Sequence, residues 1–188
     1  ETGIKLQPFR PEEITLDLIT SDFMIDDENS IWDVRSLDDL YREAETPWEW
    51  HKPIFDKAKS LNLEVFSSVF SEAGLEFLES LDVCAYKIAS QECCDIPLVT
   101  AVAQTGKPLI ISTGMASLAQ VSETVDAVKS TGNKGLVLLK CTSNYPADPN
   151  DSNVLTVRNM RENFDCEVGL SDHTMGVGAA LAAIAHGA

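Results

Sequence analysis

The stretch Ala85-Tyr-Lys-Ile-Ala-Ser-Gln-Glu-Cys93 decides how the rest of the sequence is interpreted. The apolar run Val83-Cys-Ala-Tyr86 has the length of a buried strand. Lys87, Ser90 and Glu92 follow this run and can hold an anion, donate a hydrogen bond and accept a proton. Because parallel α/β folds place their sites at the carboxyl ends of buried strands, this stretch predicts a functional site.

The composition limits the kind of partner that the protein can bind. The 188 residues carry a formal net charge of −16, with 44% hydrophobic and 23% charged residues. The hydrophobic share is enough for a core, although the length is short for a complete enzyme barrel. The acidic balance argues against nucleic acid and anionic membrane surfaces, because both require basic patches. Any anion site must therefore be a local cluster of lysines, hydroxyls and backbone N–H groups.

The five cysteines are odd in number and include no Cys-x-x-Cys pair. Their low density, and the lack of a visible secretory leader, favour a reducing cytoplasm as the location. We interpret the adjacent Cys93 and Cys94 as ordinary buried thiols and not as metal ligands. No apolar run approaches the roughly 18 residues of a membrane span.

Strands and helices alternate along most of the chain. The apolar runs predict strands at residues 3–7, 63–68, 83–86, 108–112, 135–141 and 166–170. The remaining periodic segments predict helices at residues 37–45, 47–61, 72–81, 95–105, 117–131, 153–164 and 178–186. We expect Ser36 and Thr46 to cap the first two helices, and Ser117 and Gln120 to form a capping box. Residues 8–35 are predicted to form a long loop.

The alternation predicts an α/β fold with a parallel sheet that is buried on both faces. A doubly wound open sheet and a (β/α)8 TIM barrel both fit this pattern. No Gly-x-Gly-x-x-Gly motif follows any strand, which weakens a dinucleotide-binding interpretation. Polar residues follow almost every strand, which favours the barrel. Six strands are visible, so residues 1–188 are predicted to be a partial TIM-barrel domain, a fragment covering about strands 2 to 7.

Polar residues near the strand ends are expected to converge on one face of such a barrel. They are Lys5, Gln7, Ser67, Ser68, Lys87, Ser90, Glu92, Ser112, Thr113, Thr142, Ser143, Tyr145, Ser171, Asp172 and His173. Two lysines and several hydroxyls predict a pocket for a phosphate or carboxylate. A histidine beside an aspartate can be a metal ligand or a base, although one histidine is too few for a metal site. Taken singly, these residues also fit strand ends and helix caps, and their recurrence at equivalent points is what favours a site.

Four motifs together resemble the sialic acid synthase family, in its order and spacing. They are Ala85-Tyr-Lys-Ile-Ala-Ser-Gln-Glu92, Ile111-Ser-Thr-Gly-Met115, Lys140-Cys-Thr-Ser-Asn-Tyr-Pro146 and Gly169-Leu-Ser-Asp-His-Thr174. Two further stretches, Thr46-Pro-Trp-Glu-Trp-His51 and Ile4-Lys-Leu-Gln7, most resemble the pseudaminic acid synthase subfamily. The resemblance implies a transferase that condenses phosphoenolpyruvate with the open-chain aldehyde of an N-acetylated sugar. The products would be phosphate and a nine-carbon nonulosonic acid.

For the subfamily, the implied acceptor is 2,4-diacetamido-2,4,6-trideoxy-altrose and the product is pseudaminic acid. A divalent metal, Mn or Mg, would polarise the aldehyde oxygen while C3 of phosphoenolpyruvate attacks. Water would then add at C2, and phosphate would leave by C–O cleavage. N-acetylneuraminate or legionaminic acid synthesis and a non-catalytic sugar-binding relative are the alternatives. The resemblance also implies a homodimer.

The resemblance assigns roles to individual residues. Those that match positions around phosphoenolpyruvate are Lys5, Ser68, Lys87, Ser90, Ser112 and Ser171. Ser143 is expected to bind substrate too, although it stands where some members of the family use an asparagine. Glu92 and Tyr145 match sugar-contacting residues near the reacting centre and, with Lys87, would be catalytic. His173 matches one of two metal-binding histidines. The family's first and last barrel strands and its C-terminal antifreeze-like domain have no match here, so the 188 residues alone are expected to be inactive.

Overall fold

The computed structural model describes residues 3–26 and 32–188. The chain divides into two compact units, Glu1–Asp82 and Val83–Ala188. Within the described residues, no helix is both long enough and apolar enough to cross a membrane.

In residues 3–26 and 32–82, the first unit contains two parallel strands and four helices. Their bounds are β1 Gly3–Leu6, α1 Pro11–Ile14, α2 Leu37–Ala44, α3 Trp48–Ser60, β2 Glu64–Val69 and α4 Glu72–Ser80, with a 3-10 turn at Ser21–Phe23. In the parallel pair, Gly3 lies opposite Glu64 and Leu6 lies opposite Ser67. Both predicted strands are therefore confirmed to within about one residue.

Two predictions for this unit are wrong in part. The predicted loop at residues 8–35 contains α1, which Pro11 opens and the Glu13 carboxylate caps by accepting from the Arg10 N–H at 2.8 Å. Residues 27–31 of that loop lie outside the described part of the chain. Thr46 does not cap α3, because the helix begins one residue later and Pro47 takes the cap position without a side-chain hydrogen bond. Ser36 does cap α2, accepting from the Asp39 N–H at 3.1 Å.

The aromatic residues of the Thr46–His51 motif form part of the core of this unit. The Trp48 ring stacks on Phe77 with ring centroids 4.3 Å apart, and His51 meets the edge of Phe77 at 5.5 Å. The Arg10 guanidinium lies 3.8 Å from the centroid of the Trp48 ring. Packing therefore accounts for this motif within the described residues.

The second unit contains a four-stranded parallel sheet in the order β3-β4-β5-β6. The elements are β3 Tyr86–Ile88, α5 Ile96–Gln104, β4 Leu109–Ser112, α6 Leu118–Ser130, β5 Leu136–Cys141, α7 Leu155–Phe164, β6 Glu167–Ser171 and α8 Gly178–Ala185. Asp95 caps α5, and Ser117 and Gln120 form the predicted capping box of α6. Buried aliphatic side chains of the strands, such as Ile111 and Leu138, form the core with side chains of the helices.

The position of β3 corrects the prediction for the opening stretch. The strand spans Tyr86–Ile88 and not residues 83–86, because pairing with β4 begins where Tyr86 lies opposite Leu109. Tyr86 and Ile88 are fully buried. Lys87 therefore lies within the strand, between two core residues, and not after it.

The cysteines are all free thiols, but only some are buried. Cys93 is buried as predicted, and burial raises the pKa of its thiol to about 11. Cys94 is exposed, so the interpretation of this pair as two buried thiols is wrong for its second member. The reason is local: both lie on the 3-10 turn Glu92–Cys94, which turns one side chain inward and the other outward.

Candidate active site

The register of the second unit places several predicted residues on one face of its sheet. Lys87 lies opposite Ile110, and Ser112, two residues further along β4, lies opposite Leu139. Cys141, two residues beyond Leu139, lies opposite Ser171. Since side chains two residues apart share a face, Lys87, Ser112, Cys141 and Ser171 all lie on the same face. Of the predicted residues, Lys87, Ser112 and Ser171 therefore share one face of the sheet in this unit.

Lys87 provides the positive charge of this face. Its side chain is half-buried, and burial lowers the pKa of its ammonium below the usual lysine value, while Cys141 and Glu92 raise it. Within the residues that the structure describes, Nζ makes no hydrogen bond. A half-buried ammonium with unused donors is suited to an anionic ligand, because such a ligand would replace the water that burial removed.

Glu92 lies on the 3-10 turn that follows β3. Burial raises the pKa of its carboxyl group, Asp95 adds to the rise, and Lys87 opposes it. Its Oε2 atom is buried and has no hydrogen-bond partner among the described residues. An unsatisfied buried oxygen of this kind is costly, and at a functional site it is the expected acceptor for a ligand hydroxyl.

Gly114 brings the ends of three strands together. It follows β4 with a positive φ of 34°, and a Cβ placed there would lie 2.6 Å from Ser90 Oγ and 2.8 Å from Ser143 Oγ. Ser90 follows β3 and Ser143 follows β5, so only a residue without a side chain lets both hydroxyls approach. Ser112 belongs to the same region and is 1% exposed, and its Oγ has no partner among the described residues.

Tyr145 and His173 form a stacked pair beside the ends of β5 and β6. Their ring centroids are 4.0 Å apart, and Tyr145 is 78% exposed. His173 Nδ1 lies 2.8 Å from the backbone oxygen of Thr142. A carbonyl can only accept, so Nδ1 must carry the proton, and a neutral ring then leaves the Nε2 lone pair available for a metal ion or a proton.

Two predicted site residues, Lys5 and Ser68, belong to the first unit. The Lys5 ammonium contacts the Gln7 side-chain oxygen two residues away. Ser67 and Ser68 were predicted to stand at the end of their strand, but β2 continues to Val69 and both lie inside it. Ser67 donates to the Leu6 carbonyl at 3.1 Å, which gives it a structural role in the strand pair.

A complete metal site is not formed by the described residues. Residues 3–26 and 32–188 contain no cluster of three or more histidine, cysteine or acidic side chains that could hold an ion. His173, with its ring fixed by Thr142 and its Nε2 available, is suited to be one ligand of such an ion. Hydrogen bonding of one ring nitrogen to a carbonyl is the usual way in which a metal-binding histidine is oriented.

Sequence reasoning missed two residues of this region, Gly114 and Lys140. Lys140 is the penultimate residue of β5 and is 9% exposed. The alternation along β5 places it on the face opposite Cys141, which the strand pattern alone could have indicated. The signal for Gly114 was its place directly after a strand, in Ser-Thr-Gly.

Fold and site together define a parallel α/β protein whose strand ends carry unsatisfied polar groups suited to an anionic ligand. The NeuB family matches residues 2–188, and the chain belongs to that family. Pseudaminic acid synthase of Campylobacter jejuni subsp. jejuni serotype O:2 is 42% identical over 186 residues, which are 99% of this chain and 54% of that protein. N,N'-diacetyllegionaminic acid synthase of Legionella pneumophila is 39% identical over 154 residues, 80% of this chain and 43% of that protein.

A solved structure confirms the fold class. The N-acetylneuraminic acid synthetase of Leptospira borgpetersenii serovar Hardjo-bovis, in complex with citrate, matches with a TM-score of 0.84 and 27% identity. The match covers 100% of this chain and 60% of that one. The chain has the fold of a partial (β/α)8 barrel, as predicted. It spans about half the length of the pseudaminic acid synthases that it matches.

Proposed function

We propose that the whole protein is a nonulosonic acid synthase that condenses phosphoenolpyruvate with an N-acetylated amino sugar and releases phosphate. The observation that carries this proposal is the pairing of Lys87, whose ammonium makes no described hydrogen bond, with Glu92, whose buried Oε2 lacks a partner. A positively charged hydrogen-bond donor beside an unsatisfied hydrogen-bond acceptor is suited to bind anionic phosphoenolpyruvate and a hydroxylated sugar at one site. The relatives named pseudaminic and legionaminic acid synthases support the same class of reaction.

In this proposal, one set of residues in the second unit binds phosphoenolpyruvate and another set acts on the sugar. Lys87 neutralises the phosphate or carboxylate of phosphoenolpyruvate, which carries up to three negative charges. The hydroxyls of Ser90, Ser112 and Ser143 donate to its oxygens, and these preorganised donors would act in a partly water-excluded site. Ser171 on β6 extends the same face. Lys5 and Ser68 of the first unit stay predictions for the same substrate.

Glu92 and Tyr145 are proposed to act on the sugar. A carboxyl group with a raised pKa can exchange a proton with the acceptor oxygen near neutral pH more readily than an ordinary carboxylate. Tyr145 presents an exposed ring and hydroxyl beside His173. Glu92, Lys87 and Tyr145 are thus the proposed catalytic residues.

A divalent ion, Mn or Mg, is proposed to be held in part by Nε2 of His173. When bound, such an ion would supply Lewis-acid polarisation of the acceptor aldehyde. The Thr142 carbonyl contributes by accepting a hydrogen bond from Nδ1–H, which orients the ring and fixes its tautomer. Removal of the ion with a chelator is expected to abolish condensation, with recovery on addition of Mn or Mg.

The proposed acceptor is 2,4-diacetamido-2,4,6-trideoxy-altrose, which would make the whole protein a pseudaminic acid synthase. The Campylobacter pseudaminic acid synthase is similar over 99% of the chain, whereas the Legionella legionaminic acid synthase is similar over 80%. The test offers the purified whole protein three acceptors, namely this sugar, N-acetylmannosamine and the legionaminic acid precursor, and measures phosphate release. A preference for either of the last two sugars would contradict the pseudaminic proposal.

Residues 1–188 alone are proposed to be inactive, since they span about half of the pseudaminic acid synthases that they match. A cytoplasmic homodimer is the expected state of the whole protein. Phosphate release by the 188-residue chain, with acceptor and Mn, would refute its predicted inactivity. Light scattering of the whole protein tests the dimer.

A further inference from the structure

Lys140 has no role in the proposed reaction, although it begins one of the motifs that suggested it. It lies on β5 with 9% of its surface exposed, on the sheet face opposite Cys141. It therefore cannot share the face on which Lys87 lies. Burying a lysine is costly, and a buried lysine normally requires acceptors for its ammonium.

The Lys140 ammonium is bound to both ends of one segment. Its Nζ donates to Thr142 Oγ1 and, at 3.3 Å, to the backbone oxygen of Asp151. Thr142 Oγ1 itself donates to the same Asp151 oxygen at 3.1 Å. These three hydrogen bonds close the segment Thr142–Asp151, which carries Ser143 and Tyr145, into a loop with fixed ends.

The same segment also fixes His173. The backbone oxygen of Thr142 accepts a hydrogen bond from the Nδ1–H of His173 at 2.8 Å, and the Ala147 N–H donates to the His173 oxygen at 2.9 Å. The Tyr145 ring stacks on the His173 ring. A displacement of Thr142 would therefore change the orientation and the tautomer of His173.

We propose that Lys140 is a positioning residue, which acts through Thr142 to hold Tyr145 and His173 in their working arrangement. The inference rests on the proposed function, because that function gives Tyr145 and His173 their roles. Lys140 itself does not touch the reacting atoms. Its contribution is to keep the carbonyl of Thr142 where the Nδ1 proton can reach it.

The charge of Lys140 makes the positioning role separable from a role in stability. Its two acceptors are neutral oxygens, a hydroxyl and a carbonyl. Lys140→Met keeps the length and much of the volume of the side chain but removes the buried charge. Replacement of a buried charged group by an apolar one of similar size is often neutral or stabilising. A stabilising role predicts a lower melting temperature for this variant, whereas a positioning role predicts lost function with the fold retained.

Lys129→Met is the matched control in the same unit. Lys129, on α6, also donates from its ammonium to a backbone carbonyl, that of Phe164 at the end of α7, at 3.2 Å. The whole protein is compared with both variants by steady-state kinetics and thermal unfolding. We expect kcat of Lys140→Met to fall by about 10- to 100-fold with an unchanged or higher melting temperature. Lys129→Met should keep the kcat of the unaltered protein.

The decisive readout is the tautomer of His173, measured in metal-free protein, because an ion on Nε2 would by itself keep the proton on Nδ1. Nitrogen NMR on protein with labelled histidine gives the tautomer, and His173→Gln assigns the signal. The unaltered protein and Lys129→Met should show the Nδ1–H tautomer alone, and Lys140→Met a mixture of both. If Lys140→Met does not fold, Thr142→Val removes the same link and should give the same mixture. An unmixed Nδ1–H tautomer in the variant overturns the proposal. Failure of the proposed function would instead appear as no turnover by the unaltered protein, and the tautomer would still decide the role of Lys140.

Discussion

Two lysines of the second unit, the half-buried Lys87 and the buried Lys140, show how one residue type can serve two purposes on two faces of one sheet. Lys87 makes no hydrogen bond within the described residues, and the neighbours that raise the pKa of its ammonium are Cys141 and Glu92. Lys140 uses its donors on Thr142 and on the Asp151 carbonyl. Burial lowers the pKa of both ammonium groups.

The difference between them indicates which lysine awaits a ligand. Burial removes water from both, but among the residues that the structure describes only Lys140 receives protein oxygens in exchange. The unsatisfied donors of Lys87 and the unsatisfied Oε2 of Glu92 indicate that their face of the sheet binds the ligand. The satisfied donors of Lys140 indicate that the opposite face fixes the Thr142–Asp151 segment. Residue type alone would have treated the two lysines as equivalent.

Lys87→Met should produce the largest effect. We expect kcat/KM for phosphoenolpyruvate to fall by about 10³-fold in the whole protein, because a charge-assisted contact to the anion is lost. The free energy of unfolding should not fall, since a desolvated charge is removed. Steady-state kinetics and denaturant unfolding measure the two quantities.

Lys134→Met, at an exposed lysine, is the control for that variant and should behave as the unaltered protein. Turnover by Lys87→Met within about threefold of this control would mean that Lys87 does not bind the anion. The claim that Lys87, unlike Lys140, binds the ligand would then be wrong.

Gly114→Ala sharpens the comparison, because it changes the binding face without altering either lysine. The new Cβ would meet Ser90 Oγ and Ser143 Oγ at less than 3 Å, so both hydroxyls must shift, and we expect about a 10²-fold loss of kcat/KM. Gly106→Ala is the control: its φ is also positive, at 74°, but nothing lies near its Cβ.

Gly106→Ala should lose about 1–2 kcal/mol of stability from the left-handed backbone, and Gly114→Ala should lose more, because its Cβ also meets Ser90 and Ser143. Only Gly114→Ala should also lose activity. Equal activity in the two variants, measured at matched folded fractions, would show that the approach of Ser90 and Ser143 has no functional role.

The pH dependence of phosphoenolpyruvate binding gives a smaller effect that tests the environment of Lys87. Affinity requires the ammonium form, so it should be lost as pH rises through the lowered pKa, below the value of about 10.4 for an ordinary lysine. Between the folded and unfolded pKa values the unfolded chain binds more protons, so this residue makes stability rise with pH in that window.

Glu92→Gln should lower still further the pH at which affinity for phosphoenolpyruvate is lost, because the Glu92 carboxylate raises the pKa of Lys87. Calorimetric titration of the whole protein over a range of pH measures the shift. Loss of affinity at the same pH as in the unaltered protein, or at a higher pH, would contradict the interaction between Glu92 and Lys87.

The sequence predicted most strands and helices of both units, because apolar runs and caps are local signals. It misplaced β3, since Val83–Tyr86 is as apolar as a strand, whereas the actual strand is fixed by the pairing of Tyr86 with Leu109. That pairing joins residues from different parts of the chain and leaves no local signature. The convergence of Ser112 and Ser171 on one face was predictable, because strands alternate with a period of two.

The contacts within the site could not be predicted in the same way. The Lys140 ammonium reaches a carbonyl eleven residues later, and the backbone of Gly114 lies against two hydroxyls from other strands. Both depend on how loops fold over the sheet. The protonated nitrogen of His173 follows from a carbonyl 31 residues away, which only the structure shows.

The most direct test of the two-lysine account is calorimetric titration of phosphoenolpyruvate into the whole protein and its Lys87→Met and Lys140→Met variants. The account predicts that Lys87→Met loses at least about 100-fold in affinity, whereas Lys140→Met stays within about threefold of the unaltered protein. Equal losses in both variants, or a greater loss in Lys140→Met, would contradict the assignment of binding to the Lys87 face.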